Sequence, residues 1–141
     1  MRPVIITGAP GSGKSTVGRA LADSLPRAAH IQVDFFRKMV RGGYASPHHW
    51  NDEVTLQYKL ARKNAALTAL NLMAEGFLPV LDDIVAEDWV EEWRQLLGEP
   101  LLVLLNPPLE ACLRRNLDRE CWTVDEIVLR GLHEMFEKPY T

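Results

Sequence analysis

The sequence predicts an α/β domain, a parallel sheet with helices on both faces. Three observations predict it. Short, continuous apolar runs recur along the chain, "PVIITG" (3–8), "HIQVD" (30–34), "LPVLDD" (78–83) and "PLLVLLN" (100–106). Unbroken rather than alternating apolarity marks strands buried on both faces. Segments of helical periodicity separate these runs, and strands alternating with helices imply crossover connections and a parallel sheet. The 141 residues contain no repeat, low-complexity tract or linker, so one domain spanning 1–141 is expected.

The elements follow in order. From Gly13 onward Val17, Ala20, Leu21 and Leu25 repeat at helical spacing, and Pro26 closes that helix. "HIQVD" reads as the second strand, ending at Asp34. "FFRKMVRGGY" (35–44) reads as a short helix stopped by Gly42 and Gly43. After the loop "ASPHHWND" comes a long helix from about Asp52 to Glu75, with Tyr58, Ala61, Ala65, Leu72 and Met73 on one side. Gly76 is its natural C-terminal cap. The third strand leads to the helix "AEDWVEEWRQLLG", whose Trp89 and Trp93 read as packing. At the end of the fourth strand Asn106 is placed to cap a helix that takes Pro107 in its first turn and runs through Arg119. A last helix covers about Val124 to Phe136.

Composition narrows the function classes. The formal charge of −3 argues against a general nucleic-acid binder, which draws on a basic surface. Cys112 and Cys121 are the only cysteines, and two read as reduced thiols of a cytosolic protein. The N-terminus lacks a signal-peptide core, and no apolar run approaches the ~18 residues of a membrane span. A cytoplasmic protein with neither membrane nor nucleic acid as partner is expected.

The chemistry is concentrated in Gly8-Ala9-Pro10-Gly11-Ser12-Gly13-Lys14-Ser15, which satisfies G-x-x-x-x-G-K-[ST] between a strand and a helix. The glycines let successive N–H groups point into one concavity. The helix start adds its unpaired N–H groups and the positive end of its dipole. Lys14 is expected on the β- and γ-phosphates, Ser15 on Mg²⁺ and Thr16 on the α-phosphate. A dinucleotide loop is excluded by spacing, because it needs glycine where Thr16 stands. The loop is expected to hold a nucleoside triphosphate.

Such a site needs a carboxylate at the end of another strand, near the metal. Asp82 and Asp83 both qualify, and adjacent strand residues point to opposite faces, so only one is expected to face the phosphates. The apolar-run-then-Asp pattern favours Asp82. Neither is followed by glutamate, which argues against a motor or remodelling ATPase. No N-K-x-D run follows a strand, which argues against a GTPase switch.

Transfer to an acceptor instead requires an acceptor-side carboxylate and positive charge over the γ-phosphate. Asp34 fits the first need, at the sheet edge where ligands bind in open α/β folds, or else it caps the following helix. Arg115 and Arg119 fit the second. They lie i, i+4 on one helix face, with planar donors suited to a metaphosphate. The bland reading is a solvated basic face paired with Glu110 and Asp118. Phe35, Phe36, Tyr44, His48, His49 and Trp50 fall where an acceptor pocket would lie, or else Phe35, Phe36 and Tyr44 are simply core, while Arg37 and Lys38 suit an anionic acceptor.

"GAPGSGKST", "VDFFRKM" with "GGY" and Pro47 after it, "VLDD", and "RRNLDR" followed by "VDEI" together resemble the small P-loop kinases of the nucleoside-monophosphate-kinase-like group. The nearest branches are the chloramphenicol phosphotransferase, gluconate kinase and zeta-toxin-like ones. The resemblance runs through essentially the whole chain and implies the three-layer P-loop NTPase fold with strand order 2-3-1-4-5. It also implies an acceptor-side role for Asp34 and lid-arginine roles for Arg115 and Arg119, in a lid at about 107–123. The sequence departs from the family after the lid. Members usually add a fifth strand and a helix whose loop packs on adenine, whereas this sequence runs to "EMFEKPYT", so a 2-3-1-4 sheet is expected.

The expected function is an ATP-dependent phosphotransferase with Mg²⁺, moving the γ-phosphate to a hydroxyl of a small molecule. The alternative is a nucleotide-binding regulatory or interaction module with slow hydrolysis.

Overall fold

The computed structural model describes residues 1–118 and 124–137. Four strands, β1 (Val4–Thr7), β2 (Ala28–Gln32), β3 (Leu78–Asp82) and β4 (Leu101–Leu104), form one parallel sheet in the order β2-β3-β1-β4. This is the P-loop NTPase arrangement, and no fifth strand occurs among the described residues. Six helices connect or follow the strands: α1 (Lys14–Asp23), α2 (Val33–Lys38), α3 (Asp52–Ala74), α4 (Glu87–Leu97), α5 (Leu109–Leu117) and α6 (Glu126–Met135).

The central strand β1 is buried along its whole length, as its unbroken apolar run requires. Alternate residues divide between two cores. Val4, Ile6 and Val80 pack with Leu21 and Ala22 under α1. Ile5, Ile31 and Leu81 pack on the other face with Ala61, Ala65, Ala66 and Ala69 of α3 and Trp93 and Leu97 of α4. The alanine stripe lets α3 lie close to the sheet. The helix ends as its sequence predicts. Gly76 takes φ 82°, its N–H bonds to the Met73 carbonyl at 3.0 Å, and Phe77 N–H bonds to Leu72 at 2.9 Å, a paired C-terminal cap.

Several boundaries differ from expectation; α2, for one, ends at Lys38, short of Gly42. β2 pairs with β3 over Ala28↔Leu78 to Gln32↔Asp82, so the strand starts and stops two residues early. The chain is already helical at Val33, which moves Asp34 off the strand into the first turn of α2. Asn106 does not cap α5; Pro108 holds that position and the helix begins at Leu109. Each proline biases the residue before it toward extended backbone, so Pro107 and Pro108 keep Asn106 and Pro107 out of the helix. No helix among the described residues is long and apolar enough to cross a membrane.

Candidate active site

β1 delivers the chain into the loop 8–13, where Gly11 and Gly13 take φ 79° and 99°. Space matters as much as backbone freedom. A Cβ on Gly8 would sit 2.4 Å from the Leu105 carbonyl oxygen, and one on Gly11 would sit 2.5 Å from that of Cys112. The loop is thus seated against Leu105, just past the end of β4, and against Cys112 within α5. Ala9 and Pro10 are buried within it, and Thr16 is exposed at the helix start. Gly13 caps α1 without any side-chain bond, and no acid occupies the first turn. The first intrahelical bond runs from Val17 N–H to Gly13 at 2.8 Å, which leaves the preceding N–H groups for an anion. Lys14 is buried, and its Nζ reaches the Ala9 carbonyl at 3.1 Å. Ser12 Oγ is buried with no hydrogen-bond partner among the described residues. This donor-rich cradle, with no acid in the first turn of its helix, fits the phosphates of a nucleotide.

Asp82 ends β3 beside Ile6 of β1. Its Oδ1 accepts from Ser15 Oγ at 3.3 Å and its Oδ2 from His30 Nε2 at 2.5 Å. Asp83 diverges from it, as strand alternation demands. Its Oδ2 accepts from Trp93 Nε1 at 3.2 Å. Burial pushes the Asp83 carboxyl up to about 7, against the opposing pull of the Arg62 cation and the Trp93 hydrogen bond. Of the two carboxylates, only Asp82 is joined to the phosphate loop by a hydrogen bond. Ser15 and Asp82 supply a hydroxyl and a carboxylate oxygen, donors that fit Mg²⁺, an ion held by few protein ligands alongside phosphate and water.

Across the sheet edge lies a narrow cleft of about 10 Å³ lined by Val33, Asp34, Arg37, Tyr58, Arg62 and Asp83. That is about the space of one water-sized group. Asp34 Oδ1 accepts from Arg37 Nε and Nη2 at 2.9 and 2.7 Å, and Lys38 Nζ reaches Oδ2 at 3.2 Å. Arg37 Nη1 donates to Tyr44 at 2.5 Å, and its guanidinium lies 4.8 Å from the Tyr58 ring. Burial pushes the Tyr58 hydroxyl up to about 12, with Arg37 opposing, so it stays a neutral donor at ordinary pH.

Sequence reasoning missed Arg62 altogether. Arg62 is 1 % exposed. Its Nε and Nη2 bond Glu92 Oε2 at 3.0 and 2.6 Å, and its guanidinium lies over Trp89 at 4.1 Å. Its Nη1 is buried with no hydrogen-bond partner among the described residues. The available signal was a lone arginine set among the alanines of the buried face of α3. Of the aromatics proposed for the pocket, Phe36 packs on the core, Phe35 is exposed, and Trp50 stacks with Tyr58 at 5.2 Å.

From the opposite side, Arg115 Nη1 donates to the Gly11 carbonyl at 3.1 Å, so this arginine lies on the phosphate loop. Arg119 falls outside the described residues. Asn116 bonds both the N–H and the carbonyl of Val124, at 2.8 and 2.6 Å, tying the end of α5 to the approach to α6.

The family model described as "AAA domain" matches residues 4–129, nearly the whole chain. The chain belongs to the AAA domain family. Several solved structures share the fold of this AAA domain. A chain of the Pnkp1/Rnl/Hen1 RNA repair complex superposes with a TM-score of 0.74 at 17% identity, covering 99% of this chain and 47% of that one. The AAA domain thus spans about half of that relative. The shikimate kinase from Acinetobacter baumannii, in complex with shikimate, gives 0.63 at 23% identity, over 97% of this chain and 76% of that one. A gluconokinase from Sinorhizobium meliloti 1021 gives 0.63 at 19% identity, over 98% and 76%. These likenesses establish the fold, a P-loop α/β fold shared with kinases. No curated protein matches the chain.

Proposed function

We propose that this protein is an ATP-dependent phosphotransferase that moves the γ-phosphate to a hydroxyl of a small molecule. The observation that carries the reading is the presence of two chemically distinct groups that part at the end of β3, where Asp82 and Asp83 turn to different partners. Ser15 meets Asp82 beside the uncapped start of α1, while Asp34, Arg37, Arg62 and Asp83 line a separate cleft. A hydrolytic switch needs only the first group; transfer needs both. Kinases among the structures of like fold support the same reading.

In this reading, loop 8–13, Lys14 and Thr16 bind the phosphates, with Lys14 leaving the Ala9 carbonyl for the β,γ-oxygens. Ser15 and Asp82 hold Mg²⁺, which when bound neutralises charge on the β- and γ-phosphates; Asp83 belongs to the acceptor side. Asp34, steadied by Arg37 and Lys38, accepts the hydrogen bond of the acceptor hydroxyl and takes its proton. The acceptor oxygen then bonds to the γ-phosphorus as the bond to the β,γ-bridging oxygen breaks. Arg115, with Arg119, places guanidinium donors on the equatorial oxygens, where preorganised positive charge stabilises the transition state. In this reading the lid carries Arg115 on α5 (Leu109–Leu117), within one kinase unit. The cleft has room for a single hydroxyl-sized group, so its mixed-charge lining of Asp34, Arg37, Arg62 and Asp83 suits one hydroxyl or anionic substituent of a small molecule reaching into it. A cytoplasmic setting belongs to the same reading.

The test is ATP consumption with and without panels of sugars, aminocyclitols, hydroxy acids and 5′-hydroxyl oligonucleotides, with products read by mass. Stimulation by a small hydroxyl compound, with a phosphorylated product, supports the reading. A phosphorylated oligonucleotide moves the acceptor to nucleic acid. Slow hydrolysis indifferent to every acceptor reduces the protein to a nucleotide-binding module.

A further inference from the structure

Asp82 has two oxygens, and the protein treats them differently. Oδ1 lies toward Ser15 at 3.3 Å. Oδ2 is taken by His30 Nε2 at 2.5 Å, and both side chains are almost out of solvent, at 13% and 8% exposed. His30 sits on β2 opposite Val80, two residues before Asp82 on the same face of the sheet, so its ring reaches the carboxylate diagonally across the strand pair.

The helix above leaves room for this pair. Gly18 is buried in the middle of α1, a position where glycine weakens a helix relative to alanine. A Cβ there would lie 2.8 Å from His30 Nε2 and 2.9 Å from its Cδ2, and 3.7 Å from Asp82 Oδ2. The first distance is shorter than real Cβ contacts allow, and the contacted atoms belong to a ring held between helix and sheet. Glycine here is explained by the histidine beneath it.

We propose that His30 is a positioning residue for the Mg²⁺ site. By occupying Oδ2 it fixes the rotation of the Asp82 carboxylate and turns Oδ1 to the metal side, and Gly18 makes the space in which it does so. Outer partners of ligating carboxylates commonly carry about 10–100-fold of metal affinity. The inference rests on the assignment of Asp82 to Mg²⁺ in the proposed function, and it goes beyond that assignment in giving roles to two residues that touch neither nucleotide nor acceptor.

The experiment measures ATP affinity across a Mg²⁺ titration, and in excess chelator, for the wild type and for His30→Phe, His30→Gln, Gly18→Ala and Asp82→Asn, each with a thermal melt. His30→Phe is expected to move the Mg²⁺ midpoint about 10–100-fold upward, with ATP affinity in chelator unchanged. His30→Gln, which keeps a donor, recovers part of the shift. Gly18→Ala raises the midpoint in the same direction although alanine is the better helix former. A purely structural role for His30 would lower melting temperatures and leave the midpoint in place, and that result in the folded His30→Gln and Gly18→Ala proteins overturns the inference. If Asp82→Asn shifts the midpoint while the His30 and Gly18 variants do not, positioning by His30 is overturned alone. If Asp82→Asn also leaves it unmoved, the metal assignment goes as well.

Discussion

Ser15 Oγ donates to Asp82 Oδ1 across 3.3 Å, joining residues 67 positions apart in the chain. The contact brings the first turn of α1 to the last residue of β3, and it separates Asp82 from its neighbour Asp83, which bonds Trp93 instead. Two carboxylates adjacent in sequence thereby take different partners, Ser15 and His30 for Asp82 and Trp93 for Asp83.

Their separation is testable by paired substitutions. Asp82→Asn should weaken Mg²⁺-dependent ATP binding by tenfold or more while leaving metal-free binding intact. Asp83→Asn should leave the Mg²⁺ midpoint unchanged and instead raise the acceptor KM. A common response of both variants in a Mg²⁺ titration would contradict the division.

Asp34 is predicted to act on the acceptor alone. Asp34→Asn should bind Mg·ATP with wild-type affinity and lose transfer by about 10²–10⁴-fold, the range expected when a positioned base is removed. Single-turnover product formation with a competent acceptor measures this. Full transfer by the variant would remove Asp34 from the mechanism.

Asp83 makes stability depend on pH in a specified direction. Its folded-state carboxyl is raised to about 7 by burial, from an ordinary value of 3.8. Between those values the native protein holds a proton that the unfolded chain has released, so stability falls as pH rises through that window. Above it the slope from this group vanishes. The melting temperature should drop between pH 5 and pH 7.5, on the order of 5 °C, and Asp83→Asn, which can still accept from Trp93, should flatten that slope.

Arg115 is expected to matter more for rate than for binding. Arg115→Ala removes its bond to the Gly11 carbonyl and the cation proposed for the transferring phosphoryl group. kcat should fall about 10²–10³-fold with a small change in ATP Kd. Equal losses in both would make Arg115 a ground-state binding residue.

The phosphate loop was readable because its determinants are contiguous. Strand, glycines, lysine and helix start all fall between Val4 and Asp23, and local backbone demands dictate each residue type. β2 was misplaced because Ala28 and Ala29 carry little strand signal and become strand residues only by pairing with Leu78 and Pro79. Asp34 consequently occupies a helix turn, where Arg37 and Lys38 reach it at i+3 and i+4. The choice between Asp82 and Asp83 depends on residues far away in sequence, His30 and Ser15 on one side and Trp93 and Arg62 on the other. Arg62 was invisible for the same reason, since its partner Glu92 lies on another helix.

The central claim is that the amides of loop 8–13 and the start of α1 cradle a nucleotide's terminal phosphates. Equilibrium dialysis of the folded protein against labelled Mg·ATP and Mg·GTP, beside Lys14→Ala, tests it most directly. The account predicts saturable, stoichiometric binding of at least one nucleotide, weakened tenfold or more in the variant. Absence of binding to either nucleotide at millimolar concentration would contradict it.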